Sequence, residues 1–150
     1  MHIVLVHPDI PQNTGNIGRL TLGIGATLHL VKPLGFDISE KAVRRAGLDY
    51  WKEVDIQIHE SVDDFLLWAE GRQVSILSTK AKQSLVHAQF QPDTVLVFGS
   101  ETKGLPNVFH EKFQGYTIPM KNTIRSYNLS NSVAIVAYFA LHQTHPDWLQ

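Results

Sequence analysis

Apolar positions along this chain gather in short runs separated by polar, turn-forming stretches. Runs rich in β-branched and aromatic residues fall at Ile3 to Val6, Thr27 to Val31, Val54 to Ile58, Val74 to Leu77, Thr94 to Phe98 and Tyr116 to Ile118. Runs of this length and composition read as strands. Between them the spacing becomes helical: Asn16 to Ile24, Ser39 to Ala46, Val62 to Ala69 behind the cap residue Ser61, Pro106 to Phe113 with proline at an early position, and Leu129 to His142. This alternation predicts an α/β fold with a mostly parallel sheet flanked by helices. A segment such as "TVLVFG" stays apolar throughout because helices cover both sheet faces. Ligands of such sheets bind beyond the C-terminal ends of the strands. No linker, repeat or low-complexity tract interrupts the pattern, so residues 1–150 are expected to form one domain.

The last helix departs from simple amphipathicity. Leu129, Val133, Val136, Ala137, Ala140 and Leu141 share one face, while Ile135, Tyr138 and Phe139 lie largely opposite. A helix with so little polar surface is expected to be buried on two sides. The second side is either the interior of the same chain or a partner subunit, of which a homodimer is the commonest case.

Composition narrows the class further. With 150 residues, 43% apolar and 18% charged positions and a net charge of −1, the chain resembles an ordinary globular protein of one-domain length. The absence of cysteine excludes disulfides, thiolate metal sites and a cysteine nucleophile. No run approaches membrane-spanning length, and the opening "MHIVLVHPDIP" is too short and lacks the basic leader of a signal peptide, so a cytoplasmic location and no membrane partner are expected. The near-zero charge argues against generic nucleic-acid binding, but one cluster stands out. "KAVRRAGLDYWK" sets Lys41, Arg44, Arg45 and Lys52 beside Tyr50 and Trp51, a mixture that suits either an RNA surface or a solvated helix face.

Three polar loops carry the candidate chemistry. In "HPDIPQNTGNIGR", Asn13, Thr14, Gly15, Asn16 and Gly18 supply turn geometry and hydrogen bonds before a helix that carries Arg19 about one turn in; a capped turn with a surface arginine accounts for it equally well. "FGSETKGLP" has glycines at the outer spacing of a phosphate-binding loop but Leu105-Pro106 where that motif needs Lys-Ser or Lys-Thr, which leaves Glu101, Lys103 and a flexible strand-end loop. In "IPMKNTIRSYNLSNS", Ser126, Asn128, Ser130, Asn131 and Ser132 exceed what one helix cap requires, so the stretch reads as a crowded loop or the lining of a polar ligand site. The closest histidines in sequence, His142 and His145, lack a third ligand, so no metal is expected; no nucleophile elbow points to a hydrolase.

Taken together, "NTGNIGR", "FGSETKGLP" and "RSYNLSNSVAIVAY" resemble the three signature motifs of the SPOUT, or trefoil-knot, RNA methyltransferases, in the right order. The whole chain, with its "RRAGLDYW" stretch, is similar to the branch that methylates the ribose of the tRNA wobble nucleotide. The resemblance implies a deep C-terminal trefoil knot, which ordinary connection rules would reject, and a homodimer. It also implies S-adenosylmethionine as cofactor, with S-adenosylhomocysteine as product, and the tRNA anticodon stem-loop as partner, leucine isoacceptors being the expected substrates. Carried over by motif, cofactor contacts fall at Leu77, Gly99, Ile118, Ser126 and Leu129. Arg19 becomes the residue acting on the 2′-hydroxyl, with Asn13, Glu101 and Arg125 orienting it, the substrate phosphate or the cofactor. Ser126 and Asn128 would shape the pocket, and Tyr138 would stand at the subunit interface. Lys103, Tyr127, Gly18 and Phe139 depart from the branch's usual arginine, methionine, isoleucine and glutamate. Alternatives are methylation at another tRNA position or of ribosomal RNA, and a non-catalytic RNA-binding knot protein.

Overall fold

A computed structural model describes residues 1–39, 41, 45, 48–121 and 123–149. Among them, seven strands form one sheet: β1 (His2–Val6), β2 (Thr27–Val31), β3 (Ile56–His59), β4 (Val74–Leu77), β5 (Gln83–Ser84), β6 (Val95–Phe98) and β7 (Gln114–Thr117). Their order is β3-β2-β1-β6-β4-β7-β5 and every pairing is parallel.

Alternation along each strand sorts the apolar residues onto two faces. Ile3, Leu5, Leu28, Leu30, Leu96 and Phe98 face one layer, where Ile17 of α1 (Pro11–Ile24) and Val133, Val136, Ala137 and Ala140 of α4 (Leu129–Thr144) cover them. Val4, Val6, Val31, Ile76, Val95 and Val97 face the other, under Phe65 of α2 (Val62–Trp68) and Phe109 of α3 (Asn107–Lys112), whose rings stack 5.8 Å apart. Each fully buried side chain of this size contributes about 1.5–3 kcal/mol, so burial on both faces explains why the strands are continuously apolar.

Beyond β3 the chain returns past β1 to build β4, β6 and β7, which reverses the strand order beside β1. After β7, α4 packs against α1 and β6.

Several boundaries differ from the sequence reading. The first helix begins at Pro11, not Asn16, so Asn13, Thr14 and Gly15 are buried helical residues rather than turn residues. Proline fits the first helical position, and Ile10 before it makes no side-chain cap. The third strand starts at Ile56 because residues Leu48–Glu53 form a 3-10 turn that ends next to buried Val54. The last strand sits at Gln114–Thr117, and the two-residue β5 on its edge was not foreseen. Pro106 stands just before α3 rather than inside it. The helix expected at Ser39 to Ala46 falls largely outside the described residues. On α4 the predicted inner face is buried, with Leu129 partly so, but Ile135 is 42% and Tyr138 62% exposed within one chain. Two-sided burial is therefore not achieved by this chain alone.

Candidate active site

The loops that follow β4, β6 and β7 close around a cavity of about 510 Å³ at the C-terminal ends of those strands. Leu77 to Lys80 line it from the first, Phe98 to Leu105 from the second, and Thr117, Ile118, Met120 and Arg125 to Leu129 from the third. Ile10 and Asn13 of the α1 entry and His110 of α3 complete the wall.

The β6 loop folds tightly on itself. Ser100 and Gly104 exchange backbone hydrogen bonds of 3.2 and 3.0 Å, and Ser100 Oγ accepts the Lys103 amide at 3.0 Å. Gly104 takes a φ of 68°, in the left-handed region. A Cβ on Gly99 would lie 2.3 Å from Gly104 C and 2.5 Å from Leu105 N, so no other residue fits there without moving backbone.

Glu101 points from this loop to the start of α1. Its carboxylate accepts the amides of Asp9 (2.8 Å) and Ile10 (3.2 Å) and the side-chain amide of Asn13 (3.1 Å). A negative charge is favourable beside a helix N-terminus, and here it holds the two amides that lead into the helix. Asn13 Oδ1 in turn accepts from Asn128 Nδ2 at 3.0 Å. Asn128 caps α4: its Oδ1 accepts the amides of Ser130 (2.9 Å) and Asn131 (3.3 Å) and the Ser130 hydroxyl (2.7 Å). This accounts for the crowd of polar residues before the last helix. Asn128 is the cap, Ser130 serves it, and Ser126 and Ser132 line the cavity. Tyr127 closes the loop by donating to Pro119 O at 3.3 Å.

Lys80, Lys103 and Arg125 stand exposed around the cavity and give it a cationic rim. Asp9, just outside, accepts from Thr102 Oγ1 at 2.6 Å; that hydrogen bond is the main reason its carboxyl lies below the usual range.

All five residues expected to hold a cofactor (Leu77, Gly99, Ile118, Ser126 and Leu129) line this one cavity, as do Asn13, Glu101 and Arg125. Arg19 and Tyr138 do not. Arg19 lies exposed on α1 with its guanidinium carbon 5.6 Å from the centroid of the Tyr50 ring. The sequence reading missed Ser78, Thr79, Lys80, Met120, Ile10 and His110. The polar "STK" directly after an apolar strand was a readable signal for the first three; the others depend on packing.

The histidines also group differently from their sequence spacing. His2 Nδ1 lies 2.9 Å from His29 Nε2, and His29 Nδ1 lies 3.0 Å from His59 Nε2, with Trp68 against all three rings. The Asp64 carboxylate, 3.6 Å from His59 Nδ1, favours a proton on that nitrogen, so each ring in turn donates from Nδ1. The chain runs across β1, β2 and β3, away from the cavity.

A parallel sheet with its ligand cavity in three C-terminal loops, one glycine-tight and one asparagine-capped, is the architecture of an α/β-knot methyltransferase. The model of the SpoU rRNA Methylase family matches residues 1–138, and the chain belongs to that family. A tRNA (cytidine(34)-2′-O)-methyltransferase of Methylovorus glucosotrophus is 44% identical over 144 residues, 94% of each chain. A solved structure described as giving insights into the 2-OH methylation of C/U34 on tRNA superposes with a TM-score of 0.91 at 42% identity, over 95% of this chain and 94% of that one. The SpoU methyltransferase AviRb of Streptomyces viridochromogenes, solved with AdoMet, shares the fold at 22% identity and a TM-score of 0.86, covering 95% of this chain and 57% of its own.

Proposed function

We propose that this protein transfers a methyl group from S-adenosylmethionine to the ribose 2′-hydroxyl of the wobble nucleotide of tRNA, a cytidine or modified uridine at position 34. The observation that carries this reading is the convergence of the three signature loops on one cavity, tied together by the Glu101–Asn13–Asn128 hydrogen bonds. The relatives named above, similar over nearly the full chain, support the substrate and the position.

The cavity suits the cofactor. Its volume lies in the range of small-molecule sites, Leu77, Ile118 and Leu129 offer apolar walls, and the bare Gly99 leaves backbone as the contact surface. Backbone amides and Ser126 would read an adenine edge without charged side chains. S-adenosylmethionine supplies a methyl group activated by its sulfonium, which the ribose oxygen accepts. The chain's own work is alignment and charge. Arg19 hydrogen-bonds the 2′-oxygen through its guanidinium donors and stabilises the negative charge that oxygen gains as its proton passes to solvent water. Glu101 and Asn13 hold the α1 entry, and Arg125 meets a substrate phosphate or the cofactor carboxylate.

The active form is a homodimer. Ile135 and Tyr138 leave an apolar strip of α4 exposed, and a second copy laid on it would bury that strip and bring Tyr138 to the interface. Arg19 and Tyr138 lie outside the cavity of their own chain, as expected of a site completed across two copies. The chain acts as one domain over residues 1–150 in the cytoplasm, on the anticodon stem-loop.

The test is transfer of a labelled methyl group from S-adenosylmethionine to tRNA lacking this modification, followed by nucleoside analysis and mapping. A 2′-O-methyl nucleotide at the wobble position establishes the reading. Transfer to another nucleotide or to ribosomal RNA replaces the substrate; no transfer and no S-adenosylmethionine binding replaces it with a non-catalytic RNA-binding role.

A further inference from the structure

In the basic and aromatic stretch before β3, the two aromatic residues both reach α1. Trp51 stands on the 3-10 turn Leu48–Glu53 and fills the space over Gly18. A Cβ there would come within 2.4 Å of Trp51 Cζ3 and 2.9 Å of Cε3. Gly18 is therefore the recess that receives the indole, which docks the turn one residue away from Arg19. Beside it, the Arg19 guanidinium carbon lies 5.6 Å from the centroid of the Tyr50 ring, which is itself 46% exposed.

The chemistry of that contact suits a catalytic arginine. Among the described residues no carboxylate forms a salt bridge with Arg19. A carboxylate would orient the guanidinium but cancel its field, whereas an aromatic face holds a cation through the ring quadrupole and leaves the net charge and the donor edge available. An exposed arginine has many rotamers, and a group that must meet one oxygen gains rate when most of them are removed beforehand.

We infer that Tyr50 is a positioning residue for Arg19: its ring, docked on α1 by Trp51 in the Gly18 recess, restricts the guanidinium to a narrow set of orientations without neutralising it. The inference rests on the role given to Arg19 above. It also accounts for the glycine at position 18, since any side chain there would collide with the Trp51 indole.

The experiment measures single-turnover methyl transfer to unmodified tRNA by the full-length protein and its Tyr50→Leu, Tyr50→Phe, Tyr50→Lys and Arg19→Ala variants, with S-adenosylmethionine binding by calorimetry. Tyr50→Leu should slow transfer by about 5-fold to about 100-fold, the range between a lost cation–π contact and a misaligned group. Its S-adenosylmethionine affinity and KM for tRNA should stay at wild-type values. Tyr50→Phe, which keeps the ring, should restore the rate, and Tyr50→Lys, which sets a like charge beside Arg19, should be slower than Leu. The Nε–H resonance of Arg19 should show a ring-current shift in the wild type and Tyr50→Phe that vanishes in Tyr50→Leu.

Wild-type transfer by Tyr50→Leu overturns the inference, as does a loss confined to the KM for tRNA, which would make Tyr50 a base-stacking residue. Equal impairment of Phe and Leu overturns it too, because the hydroxyl would then be the active part. Arg19→Ala separates the two levels. If that variant turns over normally, the role of Arg19 falls and this inference with it; if it is inactive while Tyr50→Leu is not, only the inference falls.

Discussion

Asn128 donates from Nδ2 to Oδ1 of Asn13 over 3.0 Å, across 115 positions of sequence, and so joins the start of α4 to the start of α1. The orientation of both amides follows from their partners. Asn13 must present its Nδ2 to the Glu101 carboxylate, which only accepts, and Asn128 must present Oδ1 to the amides of Ser130 and Asn131. The bond between them is what remains. It ties the loop lining the cavity to the helix that carries Arg19.

Substitutions at Asn128 should separate capping from this tie. Asn128→Ala loses both and should cost about 1 kcal/mol or more of stability in urea denaturation. Asn128→Asp keeps an acceptor for the α4 amides but sets a carboxylate against Asn13 Oδ1. It should stay within about 0.5 kcal/mol of the wild type in stability while binding S-adenosylmethionine more weakly by calorimetry. Full affinity in the Asp variant would show that the cavity does not depend on the tie.

Gly99→Ala should abolish cofactor binding with a modest loss of stability. The added methyl carbon meets the backbone of Gly104 and Leu105 at 2.3 and 2.5 Å, and backbone of a closed loop cannot step aside as a side-chain end can. Overpacking of this kind costs about 1–3 kcal/mol. Equilibrium binding and a thermal melt read the two effects separately; a variant that binds normally would mean the loop has slack that its geometry does not suggest.

Stability should fall with acid before any carboxylate titrates. Burial pushes the His29 pKa down from 6.5 to about 3, with the charges of His2 and His59 adding to the effect, and burial also lowers His2 and His59. Between about 3 and 6.5 the unfolded chain binds protons that the folded chain refuses. This contribution is therefore complete above pH 6.5, declines as pH falls through that value, and stops changing for His29 below about 3. For His29 the slope approaches about 1.4 kcal/mol per pH unit, and His2 and His59 add to it in the same direction. Urea midpoints measured between about pH 7 and pH 5, above the ordinary carboxylate range, check it; a flat profile would mean that the histidines titrate normally.

A charge on the exposed strip of α4 should separate the subunits. Ile135→Glu changes a residue that is 42% exposed in one chain and leaves the inner face of the helix untouched. Light scattering should find a dimer for the wild type and a monomer for this variant, with far-ultraviolet circular dichroism unchanged. A wild type that remains monomeric at micromolar concentration would remove the two-copy site.

Residue pattern alone determined the kinds of elements and their alternation, because continuous apolar strands and one-sided helices are local consequences of burial on two sheet faces. The α/β class, most strands to within two residues, the Ser61 cap and the inner face of α4 were legible for that reason. So were the three loops, since strand ends rich in glycine, serine and asparagine are where such sheets bind ligands; the family resemblance then attached a chemistry and a knot that no periodicity contains. Tertiary structure decided what depends on distant partners. The entry to α1 is held by a carboxylate from 91 residues away, and Gly18 is glycine because an indole from the turn before β3 needs the space. His2, His29 and His59 form a chain because parallel pairing in register lays β1, β2 and β3 side by side. Each is a contact between segments remote in sequence, set by strand order and register, and a local pattern carries no record of either.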